Sequence, residues 1–325
     1  MTRYLARRLA FALLLVATAS SASLVLARLA PGDYVTGALG AHTASDIVAR
    51  ERARLGLDKS IAATYRDWAL AALRFDFGRS MLYDRPVSDL IPERAANTAI
   101  LAFAALFFAT AVGIPLGIVT GARRAGVLAA VIRGGSLVLL SMPPLLTSLA
   151  LVFIAARTGW LPIAGMRSST AVADGAALDL LRHLIVPALA IGLPLAATLE
   201  RLQAQAMSET IGQPFVLAAA ARGLPRARVV WRGALKAALR PVAAMYGLMI
   251  GTLLSGSFAV EVITAWPGLG SLMLQALRAR DIYLVAGCAG AGALFLALGT
   301  MASDVALAIV DPRARDRVSS AEAAA

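Results

Sequence analysis

The chain has very few of the residues on which most catalytic and metal sites depend. Its 325 residues include two lysines, two histidines and one cysteine. A phosphate-binding loop of the form GxxxxGK[ST] needs a lysine, and neither Lys59 nor Lys236 stands in that setting. His42 and His183 are far apart in sequence, so no zinc-type cluster is available, and Cys288 alone can form no internal disulfide. The sequence therefore argues against nucleotide hydrolysis by this chain, against a metal site and against a resident cofactor.

Charged residues are also scarce, and their placement favours a membrane protein over a nucleic-acid-binding one. Hydrophobic residues make up 59% of the chain and charged residues 15%, with a mean hydropathy of +0.74. The net charge of +12 could suggest nucleic acid. However, the basic residues form short clusters beside apolar runs, and no continuous stripe with interleaved aromatic residues. This is the positive-inside pattern, so we expect contact with membrane lipid and none with nucleic acid.

Six apolar runs predict an all-α, polytopic membrane protein. The expected transmembrane helices cover 9–27, 99–120, 134–156, 185–199, 241–260 and 282–310. The first run follows three arginines, as the core of a signal peptide would. It exceeds the roughly 7–15 residues of such a core, so we expect an uncleaved helix. Six spans place both termini in the cytoplasm, and the inner segments then hold fifteen basic residues against five in the two short outer loops.

The segment between the first two spans is too polar to lie in lipid. Residues 28–94 carry acidic and basic residues in near balance, which predicts a small extracytoplasmic insert. The chain then divides into an N-terminal end with the first helix (1–30), the insert (31–94), a five-helix membrane domain (95–311) and a cytoplasmic tail (312–325).

Proline and glycine predict irregular spans. Pro143 and Pro144 lie near the centre of the third span and must kink or break it. In a membrane, such a break is tolerated only against protein or a water-filled cavity. The GIPLG sequence at 113–117 predicts a loosened helix near the inner end of the second span, and Pro187 and Pro194 fall within a short fourth span.

A basic, Ala-rich segment at 214–241 separates the fourth and fifth spans, and we call it the elbow. Gly223 can take the left-handed conformation that ends a helix, and Pro225 can start the next one. The pattern predicts a helix, a sharp turn and a second helix, rigid and exposed to the cytoplasm. Its small alanine side chains would let a partner approach closely. The alternative is a cytoplasmic loop whose arginines only set the topology.

Few ionisable residues lie within the apolar runs. Asp304 in the sixth span is a functional candidate, because an acid at membrane depth is costly. The alternative is that Asp304 lies near the cytoplasmic end, pairs with an arginine or reaches headgroup water, and positions helices. Asp311 can share its helix face. Glu200 and Arg201 are interpreted as a surface ion pair at the end of the fourth span.

Several short motifs occur in an order that resembles one family over almost the full length of the chain. They are MTRYLARRL at 1–9, RLAPGD at 28–33, LGLD at 55–58, DFGRS at 76–80, RHLIVPAL at 182–189, ARGL at 221–224, PGLG at 267–270 and DPR at 311–313. In this order they resemble the inner-membrane permeases of the dipeptide, oligopeptide and nickel class of ABC transporters, and in particular the first of the two paired permeases. The resemblance implies the type I importer permease fold and the inner membrane of a prokaryote.

In that family the elbow carries the EAA-x3-G coupling motif, which inserts into a groove on a cytoplasmic ATPase. Ala218, Ala219, Gly223 and Pro241 match its positions, whereas Leu217 stands where the acidic residue would be. The resemblance assigns ATPase coupling to Ala218, Ala219, Arg222, Gly223, Leu224 and Arg226. It also implies a non-catalytic subunit of a binding-protein-dependent importer. Its partners would be a second homologous permease, two ATPase subunits that bind the ATP, and an external solute-binding protein.

Polar and methionine side chains in the third and fifth spans are candidates for the translocation path. They are Ser141, Met142, Thr147, Met249, Thr252 and Ser255. The alternative is that these side chains pack against neighbouring spans. Relatives of this kind handle peptides, nickel complexes, glutathione or sugars, so the sequence leaves the substrate open.

Two other function classes would explain a polytopic chain. A stand-alone secondary carrier predicts repeated topology and several buried ionisable residues, and the sequence offers few of these residues and no convincing repeat. A membrane-embedded enzyme needs a catalytic constellation at membrane depth, and the sequence offers none.

Overall fold

The protein is described by a computed structural model that covers residues 2–39, 44–122, 126–168 and 176–310. Over these residues it is built from helices, with no β-strand beyond a single bridge between Arg79 and Pro86. The α-helices are α1 Thr2–Leu29, α2 Tyr34–Leu39, α3 Ser45–Arg54, α4 Ile61–Ala72, α5 Val87–Ala122, α6 Val127–Ser141, α7 Pro144–Thr158, α8 Ala176–Ile211, α9 Pro214–Ala221, α10 Arg226–Arg228, α11 Leu235–Ile263, α12 Leu269–Ala279 and α13 Ile282–Val310. A π-helical turn, Val229–Ala234, joins α10 to α11.

Four of the described helices are long and apolar enough to cross a membrane, which confirms the all-α membrane class. They contain the stretches Ala6–Leu29, Val87–Ala122, Ala176–Ile211 and Ile282–Ser303. Two bent pairs raise the number to six if each pair is one span. The pair α6 and α7 bends by 105°, and the pair Val229–Gly251 and Gly256–Ile263 bends by 52°.

The break predicted at the double proline is confirmed. Helix α6 ends at Ser141, and α7 begins at Pro144, with Pro143 extended before it. Proline fits the first turn of a helix because the amide it lacks has no partner there. The chain therefore turns sharply between two short helices at the double proline.

Two predictions about neighbouring helices were wrong. The GIPLG sequence at 113–117 does not loosen the second span, because α5 continues unbroken to Ala122. The fourth span is not short, because α8 runs from Ala176 through Pro187 and Pro194 to Ile211. Helices tolerate such prolines in a membrane where neighbouring elements satisfy the freed backbone groups.

Residues 1–100 and 265–298 form one compact unit, so the predicted insert packs with the beginning of α13. Asp281 is fully buried and is the centre of this packing. Its carboxylate accepts hydrogen bonds from the Ser80 hydroxyl (2.6 Å), the Leu82 amide (3.0 Å) and the Leu284 amide (3.1 Å). The last bond caps the first turn of α13, where a negative charge is favourable.

The second unit comprises residues 101–264 and the chain from 299 onward. Helix α8 packs against α6, α7 and α11. It also meets α5 at three glycines spaced four residues apart, Gly113, Gly117 and Gly121. Such a stripe lets two helix backbones approach closely. The spacing that the sequence analysis interpreted as loosening is therefore a packing surface.

Candidate functional site

The elbow has the predicted helix–turn–helix geometry. Helix α9 begins with Pro214 in its first turn and is capped at Arg222. Gly223 follows with a φ of +78°, a conformation that strains residues other than glycine. The helix resumes after Pro225, whose carbonyl accepts a hydrogen bond from the Arg228 amide (2.8 Å). Glycine and proline thus fix the turn by local geometry.

Apolar side chains divide between the two faces of the elbow. Val216 and Val229 are buried and anchor the elbow on the rest of the second unit. Phe215, Leu217 and Trp231 are 48%, 56% and 54% exposed. Large apolar side chains that are exposed on a basic segment are suited to contact with a protein partner.

The predicted coupling residues lie around the turn. Ala218, Arg222 and Gly223 are exposed, and Ala219 and Leu224 are partly buried. The side chain of Arg226 lies outside the part of the structure that is described. Pro241 does not begin the fifth span as predicted, because α11 already starts at Leu235 and runs through it.

An apolar cleft of about 390 Å³ lies where the broken helices α6 and α7 meet α8 and α11. Its lining includes Pro143 and Pro144 from the break, Pro194 and Thr198 from α8, and Met245 from α11. The break therefore borders a cavity, which is one of the two settings in which irregular backbone is tolerated at membrane depth.

Three of the six predicted path residues, Ser141, Met142 and Met249, line this cleft. Thr147 is buried and does not line it, and its hydroxyl donates to the Pro143 carbonyl (3.2 Å). The side chains of Thr252 and Ser255 are outside the described structure.

The hydroxyl groups in the cleft are already used as donors. Ser141 donates to the Leu137 carbonyl (2.9 Å), and Thr198 donates to the Pro194 carbonyl (3.0 Å). Each hydroxyl therefore offers only its lone pairs to a solute. Methionine and aliphatic side chains make up most of the remaining lining, and they adapt to solutes of different shape.

Comparison with known families identifies the kind of protein to which this arrangement belongs. A family model described as "Binding-protein-dependent transport system inner membrane component" matches residues 113–316. This chain belongs to that family. The model for the N-terminal part of such membrane components matches residues 1–102. The predicted resemblance is confirmed, and the chain is a membrane permease subunit of an ABC importer.

Named relatives of this permease align along most of its length. The dipeptide transport system permease protein DppB of Escherichia coli strain K12 is 32% identical over 308 residues, 88% of this chain and 91% of that protein. The oligopeptide transport system permease protein OppB of Mycobacterium tuberculosis strain CDC 1551 is 32% identical over 326 residues, 97% of this chain and 99% of that protein. The oligopeptide transport system permease protein AppB of Bacillus subtilis strain 168 is 29% identical over 315 residues.

The sequence analysis missed a buried polar group in this permease. Glu200 is not part of a surface pair, because it is only 1% exposed and accepts a hydrogen bond from the Thr120 hydroxyl (2.5 Å). Gln203 is fully buried, and neither amide atom has a hydrogen-bond partner among the described residues. Both residues face α5 at Gly117. Glu200 and Gln203 are three residues apart and therefore share one face of α8, opposite the glycine stripe of α5. This spacing was the available signal in the sequence that the two residues are buried.

The side chains of the functional candidate Asp304 and the neighbouring acid Asp311 fall outside the description of the structure. The side chain of Asp304, Asp311 itself and the predicted tail at 312–325 all lie outside the described residues. Their roles stay predictions.

Proposed function

We propose that this permease forms the translocation path for a peptide-like solute and couples it to a cytoplasmic ATPase through the elbow at 214–241. The relatives named for dipeptide and oligopeptide transport support this substrate class. The proposed assembly contains a second homologous permease, two ATPase subunits and an external solute-binding protein. Both termini lie in the cytoplasm of a prokaryotic cell, in line with the basic inner segments.

The observation that carries the coupling role is the pattern of exposure on the elbow. Phe215 and Leu217 lie on the part of the elbow that falls in no candidate membrane span, and they, like Trp231, are about half exposed, so this chain's own core does not cover them. An ATPase groove with apolar walls would cover them. Leu217 occupies the position at which the family motif has an acid, so we expect its contact on the ATPase to be apolar instead of ionic.

The energy source must be external to this subunit. Neither lysine of the 325 residues lies in a phosphate-binding loop, so we assign ATP binding and hydrolysis to the partner subunits. The permease would act as a non-catalytic subunit that changes conformation when the ATPases close.

The test of coupling uses Gly223 and a matched glycine elsewhere in the second unit. Gly223 and Gly159 both have positive φ (+78° and +67°), and no described atom lies within 4 Å of a Cβ added at either one. Leucine at either site therefore causes the same kind of backbone strain without a clash. Only Gly223 lies in the elbow, because Gly159 caps α7.

We expect Gly223→Leu to abolish ATP-dependent uptake and co-purification of the ATPase, whereas Gly159→Leu keeps both. The measurement is a pull-down in mild detergent, with the recovered subunits identified by mass, followed by uptake into reconstituted vesicles. Retention of both properties in Gly223→Leu would refute the coupling role. Solute flux by the chain without any ATPase would instead favour a secondary carrier.

The path can be tested with a thiol introduced into the cleft. Cys288 is buried, so Ser141→Cys introduces a second thiol into a chain whose own cysteine is protected. We expect a charged thiol reagent to stop uptake in Ser141→Cys but not in the parent chain, and dipeptide in excess to slow the labelling. Full uptake by a completely labelled Ser141→Cys protein would remove this cleft from the path.

A further inference from the structure

Helix α4 lies against the first membrane helix. The Tyr65 hydroxyl is 3.2 Å from the Ser21 hydroxyl of α1. Trp68 packs in one cluster with Leu24 of α1 and Ala286 of α13, and its indole donates to the Phe77 carbonyl (3.3 Å). These contacts fix the position of α4 along the membrane helix.

The contacts lie inside the apolar stretch of α1, not above it. The stretch covers Ala6–Leu29, and the guanidinium of Arg28 marks its outer end by hydrogen bonding to the carbonyls of Leu57 and Lys59. At 1.5 Å per residue, Ser21 lies about 10 Å below Arg28 along the helix, and Leu24 lies about 6 Å below it. Helix α4 therefore begins at the level of Arg28, and the contacts that Tyr65 and Trp68 make with α1 lie below that level.

The other side of α4 carries large apolar groups. Leu70, Leu73 and Phe75 are 59%, 80% and 81% exposed and follow one another at the C-terminal end of the helix. Lys59 lies just before the helix and pairs with Asp67 in its middle (2.8 Å), where Arg66 also contacts Asp67 (3.2 Å), and Arg74 is exposed between Leu73 and Phe75. Helices that lie in a membrane interface likewise combine exposed large apolar side chains with basic ones.

The turn after α4 holds a phenylalanine where glycine is usual. The Phe75 amide donates to the Ala72 carbonyl (3.0 Å), and the Asp76 amide donates to the Ala71 carbonyl (3.1 Å). This pair of bonds is the Schellman motif, whose left-handed position commonly belongs to glycine. Phe75 occupies it with a φ of +62°. The fold accepts this strain at a side chain that makes little contact with the rest of the protein.

We propose that α4 and the turn at Phe75 form an interfacial anchor that inserts Leu70, Leu73 and Phe75 into the outer leaflet of the phospholipid bilayer. The depth of the contacts on α1 is the reason for choosing lipid over the external binding protein, because a partner in water would not reach this level. The exposed cations Arg66 and Arg74 are placed to extend toward lipid phosphates, as long basic side chains do at an interface. The proposal requires α1 to cross the membrane and does not depend on the identity of the solute.

The test measures what surrounds position 75 in the assembled transporter. The full chain, with its partner subunits, carries Phe75→Cys labelled with an environment-sensitive fluorophore, in nanodiscs of phosphatidylcholine and phosphatidylglycerol. Arg50→Cys is the control, because Arg50 lies on α3 of the same unit and its side chain is 76% exposed. Lipids with a nitroxide near the top of the acyl chain report contact with lipid, and iodide reports contact with water.

We expect the nitroxide lipid to quench the label at position 75 and iodide to quench it far less than the label at position 50. Iodide quenching of the two labels to the same extent would overturn the proposal, because the face would then lie in water. Protection from both quenchers would overturn it as well, because a protein partner would then cover the face. Phe75→Gly provides a separate check on the strain: the thermal midpoint of the protein in detergent should be kept or rise, because glycine adopts the left-handed conformation without a steric penalty.

Discussion

Replacing Gly117 by alanine should destabilise the pairing of α5 with α8. A Cβ added at Gly117 would lie 2.6 Å from the Glu200 carbonyl oxygen and 2.6 Å from the Gln203 Cβ. These distances are about 0.8 Å short of the 3.4 Å at which ordinary contact begins. Backbone and a Cβ cannot move aside as the end of a flexible side chain can, so the two helices must separate.

The net effect follows from two opposing terms. Overpacking of a tight interface costs about 1–3 kcal/mol. Alanine is favoured over glycine within a helix by about 1 kcal/mol, which offsets part of this cost. We therefore expect a net loss of up to about 2 kcal/mol, and each kcal/mol corresponds to a shift of roughly 2–4 °C in the unfolding midpoint of a domain of 150–250 residues.

The matched control is Gly135→Ala on α6. No described atom lies within 4 Å of a Cβ added there, so only the gain in helix propensity remains. The assay is the thermal midpoint of the purified protein in one detergent. A Gly117→Ala protein as stable as the Gly135→Ala protein would refute the close approach of α5 and α8. A lower midpoint for Gly117→Ala alone would support it.

Two further predictions concern polar groups. Gln203→Met should raise the thermal midpoint of the protein. Both amide atoms of Gln203 are buried without a partner among the described residues, and an unsatisfied buried group costs about 1–3 kcal/mol. A lower midpoint would mean that water or another group satisfies the amide. Partial burial would raise the pKa of Asp33, but hydrogen bonds from the Thr36 amide (2.9 Å) and the Arg52 guanidinium (2.6 Å) hold it below its usual 3.8. A depressed folded pKa stabilises the protein above the unfolded value, and this contribution is lost as the pH falls through the folded value. The difference in thermal midpoint between the parent and Asp33→Asn should therefore be constant above about pH 5 and shrink progressively as the pH falls below that value; a difference that changes between pH 6 and pH 8 would contradict this cause.

Features that depend on one or two residues could be predicted from the sequence. The break at Pro143 and Pro144 and the turn at Gly223 follow from backbone constraints that proline and glycine impose wherever they stand. The helix–turn–helix geometry of the elbow was predictable for the same reason, since Gly223 and Pro225 fix it locally.

Features that depend on a neighbouring helix could not be predicted in the same way. In an isolated helix, glycines such as those of α5 reduce helix stability. Beside α8 they instead allow its backbone to approach closely. Glu200 looks exposed because an acid next to an arginine at the end of an apolar run commonly is. Its burial follows from the length of α8, which continues past the predicted end at residue 199 and carries Glu200 along the face that meets Gly117.

The same continuity bears on how the elbow could act on the cleft. Helix α8 contributes Thr198 to the cleft and ends at Ile211, and two residues separate Ile211 from the start of α9. At 1.5 Å per residue, this joins the cleft to the elbow over about 20 Å of unbroken helix. The other arm of the elbow passes through the π-helical turn directly into α11, which contributes Met245 and Met249 to the opposite part of the lining. A helix transmits displacement along its axis because its hydrogen-bonded turns do not compress independently. A shift of the elbow against an ATPase would therefore move two walls of the cleft at once, and coupling requires no relay between them other than α8 and α11.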